Sequence, residues 1–231
     1  MRSTVLLDLY GTLVEPDWGA LLNGRAALAE RVGVTASAAH RAWESTHAAR
    51  MAGAYGSLAD DLTAVFSQAS DGTRPAIAER LLRQLADDEL ENWSRGVRLF
   101  PDATPALKLL RSSGFGLAIV TNASAEAASV VDRLGLRSLV GDVFVSCEAG
   151  VVKPDLLGVA LHSLGLGPSD ATLVDDEPAQ LEGAARLGLG TILVQRSGTQ
   201  ASPAATPGAY VVSNLRQVAG LVVREEPRRP R

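Results

Sequence analysis

One acidic residue near the start of the chain has the position of a catalytic nucleophile. Asp8 follows the apolar run from Thr4 to Leu7, which is typical of a buried strand, and a turn containing Gly11 comes directly after it. A carboxylate at a strand end is held rigidly, and a nearby glycine lets the backbone approach a ligand. The pattern therefore favours a nucleophile over a packing residue at Asp8.

Two further segments carry groups that suit an anion. Thr121 and Asn122 follow the apolar run 117–120 and offer a hydroxyl, an amide and backbone N–H groups. Lys153 is one of only two lysines, with Lys108, among 22 basic side chains. Where arginine is the usual base, a lysine indicates that a compact point charge is needed.

A pair of acids ends another apolar run. Asp175 and Asp176 follow residues 172–174, and Pro178 then suits the first turn of a helix. Adjacent carboxylates repel each other unless a cation or a proton lies between them. Together with Asp8 they form an oxygen-ligand set suited to Mg²⁺.

These four motifs, in this order, resemble the haloacid dehalogenase-like hydrolase superfamily. The resemblance runs from Asp8 to about Val194 and includes the helix-like segment 182–188. It implies a Rossmann-like core, an aspartyl-enzyme intermediate on Asp8, and a lysine, Lys153, that neutralises the site.

The resemblance also assigns roles to the remaining motif residues. The metal would be held by Asp8, the Tyr10 carbonyl, Asp175 and Asp176. The sequence-predicted residues that contact substrate or phosphoryl oxygens are Thr12, Thr121, Asn122 and Lys153.

Tyr10 departs from the pattern of the superfamily's phosphatases, which usually carry a second aspartate two residues after the nucleophile. A tyrosine with a pKa of about 10 is a poor general base at neutral pH. An Asp-x-Tyr-Gly-Thr motif is instead similar to the 2-haloacid dehalogenases, in which halide leaves without a proton. Tyr10 therefore favours dehalogenase chemistry.

The acidic pair favours the opposite choice, because the dehalogenases lack it and halide displacement needs no Mg²⁺, whereas phosphoryl transfer does. Gln180 is a second departure, since many members have Asp or Asn there. We expect a Mg²⁺-dependent phosphatase acting on a small phosphorylated metabolite. The alternatives are a metal-independent 2-haloacid dehalogenase using Asp8 and a non-catalytic ligand- or partner-binding protein.

The elements that position these residues alternate along the chain. Apolar runs at 4–7, 117–120, 143–145, 172–174, 191–194 and 210–212 are separated by helix-like stretches. This alternation predicts an α/β fold with a parallel sheet. We expect the Rossmann-like core in residues 1–14 and 98–223, an inserted α-helical cap in 15–97, an exposed loop in 195–208 and a disordered tail in 224–231.

The cap contains candidate specificity residues. His40, Trp43, His47 and Arg50 have helical spacing, which predicts that they share one face of the second cap helix. His47 and Arg50 are candidates for substrate contact. In the alternative, Trp43 packs between helices while the polar side chains are solvated or bonded within the cap.

Composition limits the remaining possibilities. The 231 residues suit one core with an insertion, and the net charge of −4 gives no sign of nucleic-acid binding. No apolar run is long enough to cross a bilayer, a strand replaces any signal peptide, and Cys147, the only cysteine, allows no internal disulfide. We expect a cytoplasmic monomer or homodimer with a small-molecule substrate and Cys147 as a packing residue.

Overall fold

A parallel six-stranded sheet forms the centre of the protein, whose computed structural model describes residues 4–70, 77–196 and 210–225. The spatial order is β5-β4-β1-β6-β7-β8, and all neighbouring pairs are parallel. The sheet strands are β1 (Thr4–Leu7), β4 (Gly116–Thr121), β5 (Asp142–Val145), β6 (Ala171–Asp175), β7 (Gly190–Val194) and β8 (Tyr210–Val212). The predicted α/β core is thus confirmed.

Helices cover both faces of the sheet. The core helices are α6 (Ala103–Ser112), α7 (Glu126–Arg133), α8 (Ser146–Ala149), α9 (Asp155–Leu164), α10 (Pro178–Leu187) and α11 (Leu215–Glu225). Alternate side chains of a strand point to opposite faces: Val5 and Leu7 pack with α6, α7 and α11, whereas Leu6 packs with α9 and α10. The central strand is therefore buried on both sides, as its uninterrupted apolar run requires.

The strand order reverses at β1, because β4 and β5 lie on one side of it and β6, β7 and β8 on the other. In open parallel sheets, ligands bind beyond the carboxyl ends of the strands at such a switch point. Asp8 continues β1 by donating its backbone N–H to the Val174 carbonyl at 2.9 Å. The strand ends at Asp8, Thr121 and Asp175 therefore meet at one crevice.

A helical insertion follows β1. It lies between two short antiparallel strands, β2 (Val14–Pro16) and β3 (Val97–Leu99), and has its own apolar core around Leu62, Phe66 and Leu85. Its helices are α1 (Trp18–Arg31), α2 (Ala36–Ser45), α3 (His47–Met51), α4 (Leu58–Ala69) and α5 (Glu79–Gly96). The sequence pattern did not predict β2 and β3, because three-residue strands are too short to show a period of two.

The C-terminal helix extends beyond its expected end. α11 continues to Glu225, two residues into the segment that we expected to be a disordered tail, because Leu215, Val218, Leu221 and Val222 keep helical contact with the core. The rest of that tail, 226–231, lies outside the described residues, as does most of the expected loop at 195–208. No helix in the described ranges has the length and apolarity needed to span a membrane.

A partly buried arginine ties the turn after β1 to the rest of the core. Arg196 forms an ion pair with Asp102 at 3.1 Å and donates to the carbonyls of Gly11 at 3.2 Å and Thr12 at 2.6 Å. Its guanidinium also stacks on the Phe100 ring, 3.4 Å from the ring centroid. The side chains of the ion pair are only 11% and 12% exposed, so the pair is poorly screened by solvent.

Replacing this arginine is expected to destabilise the fold. Arg196→Met leaves the Asp102 carboxylate without its counter-ion, with only the Leu215 N–H still donating to it, and removes the arginine donor of two backbone carbonyls. This predicts a loss of about 3 kcal/mol of unfolding free energy in urea denaturation. The matched control is Arg98→Met, which breaks an exposed ion pair with Glu15 and should cost about 1 kcal/mol at most. Equal losses in the two variants would show that Arg196 does not hold the turn.

Candidate active site

Three motif residues form a buried charge cluster at the carboxyl ends of β1 and β6. The Lys153 ammonium lies 2.7 Å from an oxygen of Asp8 and 2.6 Å from an oxygen of Asp175. Its side chain is only 2% exposed. One cation is thus shared by two carboxylates, and a third, Asp176, lies beside them.

The turn after Asp8 is built around the third carboxylate. Gly11 has a φ of +85°, and a Cβ at this position would lie 2.2 Å from an oxygen of Asp176. The Thr12 hydroxyl donates to the other Asp176 oxygen at 3.1 Å. Glycine is required both by the backbone conformation and by the close approach. Thr12 therefore orients Asp176.

Asn122 supports the loop that carries Lys153, and the neighbouring Thr121 hydroxyl is available to a ligand. The Asn122 side-chain oxygen accepts a hydrogen bond from the backbone N–H of Lys153 at 2.8 Å, which holds the lysine loop against β4. Thr121 is 1% exposed, and its hydroxyl has no hydrogen-bond partner in the described ranges. Buried hydroxyls are normally satisfied, so this one is suited to an oxygen-rich ligand.

Burial and crowding raise the pKa values of the acids. Desolvation, with repulsion from Asp175 and Asp176, raises the pKa of Asp8 to about 8 even though Lys153 acts to lower it. The pKa of Asp176 is raised to about 6 by burial and by Asp175. The carboxylates in turn raise the pKa of Lys153, which stays charged. All three aspartates can therefore ionise at neutral pH only if a second cation joins Lys153 in the cluster.

The donor set fits a hard divalent cation. One oxygen from each of Asp8, Asp175 and Asp176 lies within 4.8 Å of the others. Lys153 donates to one oxygen each of Asp8 and Asp175, the Glu177 N–H donates to the other Asp175 oxygen, and Thr12 donates to one Asp176 oxygen. Among the described residues, no side chain donates to the second oxygen of Asp8 or of Asp176. Carboxylate oxygens in this number are ligands typical of Mg²⁺.

Gln180 takes no part in this cluster. Its amide donates to the Glu177 side chain at 3.1 Å on the exposed side of α10. Metal binding at this site would therefore rest on the three aspartates and the Tyr10 carbonyl.

Two neighbouring cavities lie near the strand ends, and Asp8 lines the smaller of them. The smaller, of about 60 Å³, is lined by Asp8, Tyr10, Thr121, Asn122, Lys153, Asp175 and Glu177. The larger, of about 230 Å³, lies between the core and the cap helices, and Tyr10 and Asn122 line both. This arrangement suits a reacting group beside Asp8 and the rest of the substrate beneath the cap.

Tyr10 separates the two cavities and cannot act as a general base. Its ring lies 5.2 Å from that of Trp93, and its hydroxyl is buried without a partner in the described ranges. Burial, followed by the charges of Glu126 and Asp8, raises the pKa of Tyr10 well above its ordinary value of 10. The tyrosine stays protonated at neutral pH.

The expected single face of cap residues is divided between two helices. His40 and Trp43 lie on α2, whereas His47 and Arg50 lie on α3. The helix is interrupted at Thr46, whose hydroxyl donates to the Ala42 carbonyl at 2.8 Å. Trp43, His47 and Arg50 line the larger cavity, but His40 is exposed and lies outside it. His47 and Arg50 thus line the cavity from α3, after a one-residue interruption at Thr46 that the helical spacing did not show.

Further lining residues were missed at the sequence level. Trp18, Arg25, Trp93 and Glu126 reach the larger cavity from α1, α5 and α7. Arg25 pairs with buried Glu89 at 2.8 Å and stacks on Trp43, 4.1 Å from the ring centroid. These residues are far apart in sequence and carry no motif. The only available signal was the grouping of all three tryptophans within residues 18–93.

Cys147 is half-buried at the start of α8 and packs against the core. Burial and nearby acids raise the pKa of its thiol to about 11. The thiol is therefore not an activated nucleophile, in line with the packing role expected for it.

Known proteins of two activities are similar to this chain. A (S)-2-haloacid dehalogenase of Burkholderia cepacia is 25% identical over 59% of the chain and 61% of its own length. A phosphoserine phosphatase of Thermus thermophilus is 32% identical over 52% of the chain and 49% of its own length. The chain thus spans less than two thirds of either relative.

A solved structure shares the whole fold. The 2-haloacid dehalogenase from Pseudomonas syringae superposes with a TM-score of 0.71 at 24% identity, covering 97% of this chain and 99% of that one. The family model for haloacid dehalogenase-like hydrolases matches residues 3–188, which include all four strand-end motifs and the inserted helices. Sequence, fold and the arrangement around Asp8 agree, and the chain belongs to the haloacid dehalogenase-like hydrolase family.

Proposed function

We propose that the protein is a Mg²⁺-dependent phosphatase that transfers the phosphoryl group of a small metabolite to Asp8. The observation that carries this proposal is the cluster of three carboxylates around one ammonium, in which two carboxylate oxygens have no side-chain donor among the described residues. A buried excess of negative charge is costly, and a metal ion offsets it.

The residues of the chain have distinct parts in this reaction. Asp8 attacks phosphorus with the oxygen that Lys153 does not hold, and the bond from phosphorus to the ester oxygen breaks. Lys153 fixes the attacking carboxylate, while Thr121 and Asn122 contact the phosphoryl oxygens. Asp8, Asp175, Asp176 and the Tyr10 carbonyl would hold Mg²⁺, which would offset the negative charge of the nucleophile and the phosphate.

Water then attacks phosphorus of the aspartyl phosphate, which releases inorganic phosphate and restores Asp8. Neither step has a carboxylate at position 10 to move a proton. The leaving oxygen therefore takes its proton from solvent or from a group on the substrate, and esters with acidic leaving groups are favoured.

A second candidate is a metal-independent 2-haloacid dehalogenase. It is favoured by Tyr10 and by the similarity to dehalogenases. In this reaction Asp8 attacks carbon, halide departs, and water cleaves the resulting ester. Halide release that persists in EDTA supports this candidate, whereas absence of both activities supports a non-catalytic binding protein.

Asp8→Asn tests the nucleophile. The amide cannot attack, so turnover is expected to fall by about 10³-fold or more. The metal-free variant should melt no lower than wild type at pH 8, because one of the carboxylates that compete for Lys153 is removed. Activity above about a tenth of wild type with unchanged melting would remove Asp8 from the mechanism.

Mg²⁺ should stabilise the protein more strongly as pH rises. Because the pKa values of Asp8 and Asp176 are raised to about 8 and about 6, the metal-free fold holds protons that the unfolded chain has released, and its stability falls as pH rises above 3.8. Mg²⁺ binds the ionised acids of the folded state only.

The thermal shift produced by millimolar Mg²⁺ is therefore expected to be larger at pH 8 than at pH 6. It should vanish in the Asp175→Ala/Asp176→Ala variant. A wild-type protein that shows no shift at either pH, with activity insensitive to EDTA, would argue for the dehalogenase.

Tyr10→Asp should supply the missing proton-transfer group. General acid–base catalysis is typically worth about 10²–10⁴-fold, although a carboxylate in an unadapted pocket gains less. The gain should be larger for an alkyl phosphate than for p-nitrophenyl phosphate, whose leaving group needs no proton. Tyr10→Phe is the matched control and should show no such asymmetry. A larger gain on the activated ester would show that Tyr10 has another role.

A further inference from the structure

The cavity under the cap contains two buried charged residues that form no ion pair with any described residue. Arg50 enters it from α3 in the cap, and Glu126 enters it from α7 in the core. They are 2% and 4% exposed. Neither lies within ion-pair distance of an opposite charge in the described part of the chain.

Arg50 is held in place by neutral groups. Its guanidinium donates to the Thr46 hydroxyl at 3.2 Å and to the Trp43 carbonyl at 2.9 Å, and it lies 5.0 Å from the centroid of the Trp43 ring. These contacts fix its position, and the nearest carboxylates, of Glu126, Asp61 and Glu89, act on its charge without forming an ion pair with it in the described residues. Arg25 in the same cavity differs, because Glu89 already neutralises it at 2.8 Å.

Glu126 is also fixed without being neutralised. It lies in the first turn of α7, and its carboxylate accepts a hydrogen bond from the Ser124 hydroxyl at 2.5 Å. The nearby helix N-terminus favours a negative charge but does not provide a counter-ion. A buried charge without a partner is expensive, so a ligand that pairs with it gains correspondingly.

We propose that the leaving group of the substrate carries both a carboxylate, bound by Arg50, and an ammonium group, bound by Glu126, so that the substrate is a phosphorylated amino acid. This inference rests on the proposed phosphatase function. A leaving group with one charge would leave one of the two buried residues without a partner.

The remaining walls suit such a ligand. Trp43 lines the cavity beside Arg50, and its buried indole N–H has no acceptor in the described ranges. The aromatic rings of Tyr10, Trp18 and Trp93 lie in the same cavity, and aromatic faces favour an ammonium group.

Size and position agree as well. A volume of about 230 Å³ lies below the ~300–1,000 Å³ that is usual for larger ligands, so a leaving group of a few carbon atoms fits. Because Tyr10 and Asn122 line both cavities, a short linker suffices to place a phosphate beside Asp8.

Four phosphate esters of similar size, which differ in the charged groups of their leaving groups, test this inference. O-phospho-L-serine carries both groups, phosphoethanolamine only the ammonium, 2-phosphoglycolate only the carboxylate, and ethyl phosphate neither. The kcat/KM for phosphoserine should exceed that of each of the others by about 10²-fold. An equal or higher value for any of the other three esters would overturn the proposal.

Substitutions of Arg50 and Glu126 should change the relative kcat/KM values of the four esters in opposite directions. Arg50→Met should reduce kcat/KM for phosphoserine and 2-phosphoglycolate, chiefly through KM, and leave that for phosphoethanolamine much less affected. Glu126→Gln should do the reverse. Arg41→Met and Glu182→Gln, at exposed positions away from the cavity, are the matched controls and should leave all four values unchanged. Uniform losses across the four esters would contradict the assigned roles.

Binding separates this proposal from the function on which it rests. Calorimetry of the Asp8→Asn protein with L-serine, ethanolamine and glycolate requires no turnover and should show the tightest binding for L-serine. Mg²⁺-dependent hydrolysis of p-nitrophenyl phosphate without this selectivity would retain the phosphatase and overturn the amino-acid substrate. Selective binding of L-serine without any phosphate release would overturn the phosphatase alone.

Discussion

The position of Lys153 between Asp8 and Asp175 is the interaction on which the rest of the site depends. It joins the carboxyl ends of β1 and β6, the strands beside which the sheet order reverses, with contacts of 2.7 and 2.6 Å. One ammonium cannot neutralise three ionised aspartates, so all three can ionise together only if a second cation, such as a metal ion, offsets their charge. The turn at Gly11, the Thr12 hydroxyl and the Arg196 contacts hold the cluster in this arrangement.

The cap supplies what the strand ends lack. The core strand ends bring together a buried carboxylate, an ammonium and further carboxylate oxygens. The cavity beneath the cap adds two buried charged side chains, Arg50 on the cap side and Glu126 on the core side, to which the proposal assigns discrimination between leaving groups. A substrate that pairs with both would draw the cap toward the core and exclude water from Asp8, which strengthens the electrostatic interactions there.

The sequence predicted the core well, because its strands are apolar runs that end in polar motif residues at one edge of a parallel sheet. Asp8, Thr121, Lys153 and Asp175 therefore converge as expected. The cap was harder to predict, since α2 and α3 separate at Thr46, where a side-chain hydrogen bond ends the helix and no glycine or proline marks the break. Glu126 was missed because only the tertiary fold brings α7 against the cap.

Trapping the covalent intermediate is the most direct test of the proposal that Asp8 accepts a phosphoryl group. A phosphate ester can be mixed with the protein and Mg²⁺, quenched with acid during turnover, and the peptide containing Asp8 analysed by mass spectrometry. We expect a phosphoryl group on Asp8 of the wild-type protein with Mg²⁺, and no such group when EDTA is added or when Asp8 is replaced by Asn. Turnover of the ester without this adduct, or an EDTA-resistant carbon ester on Asp8 formed from a 2-haloacid, would contradict it.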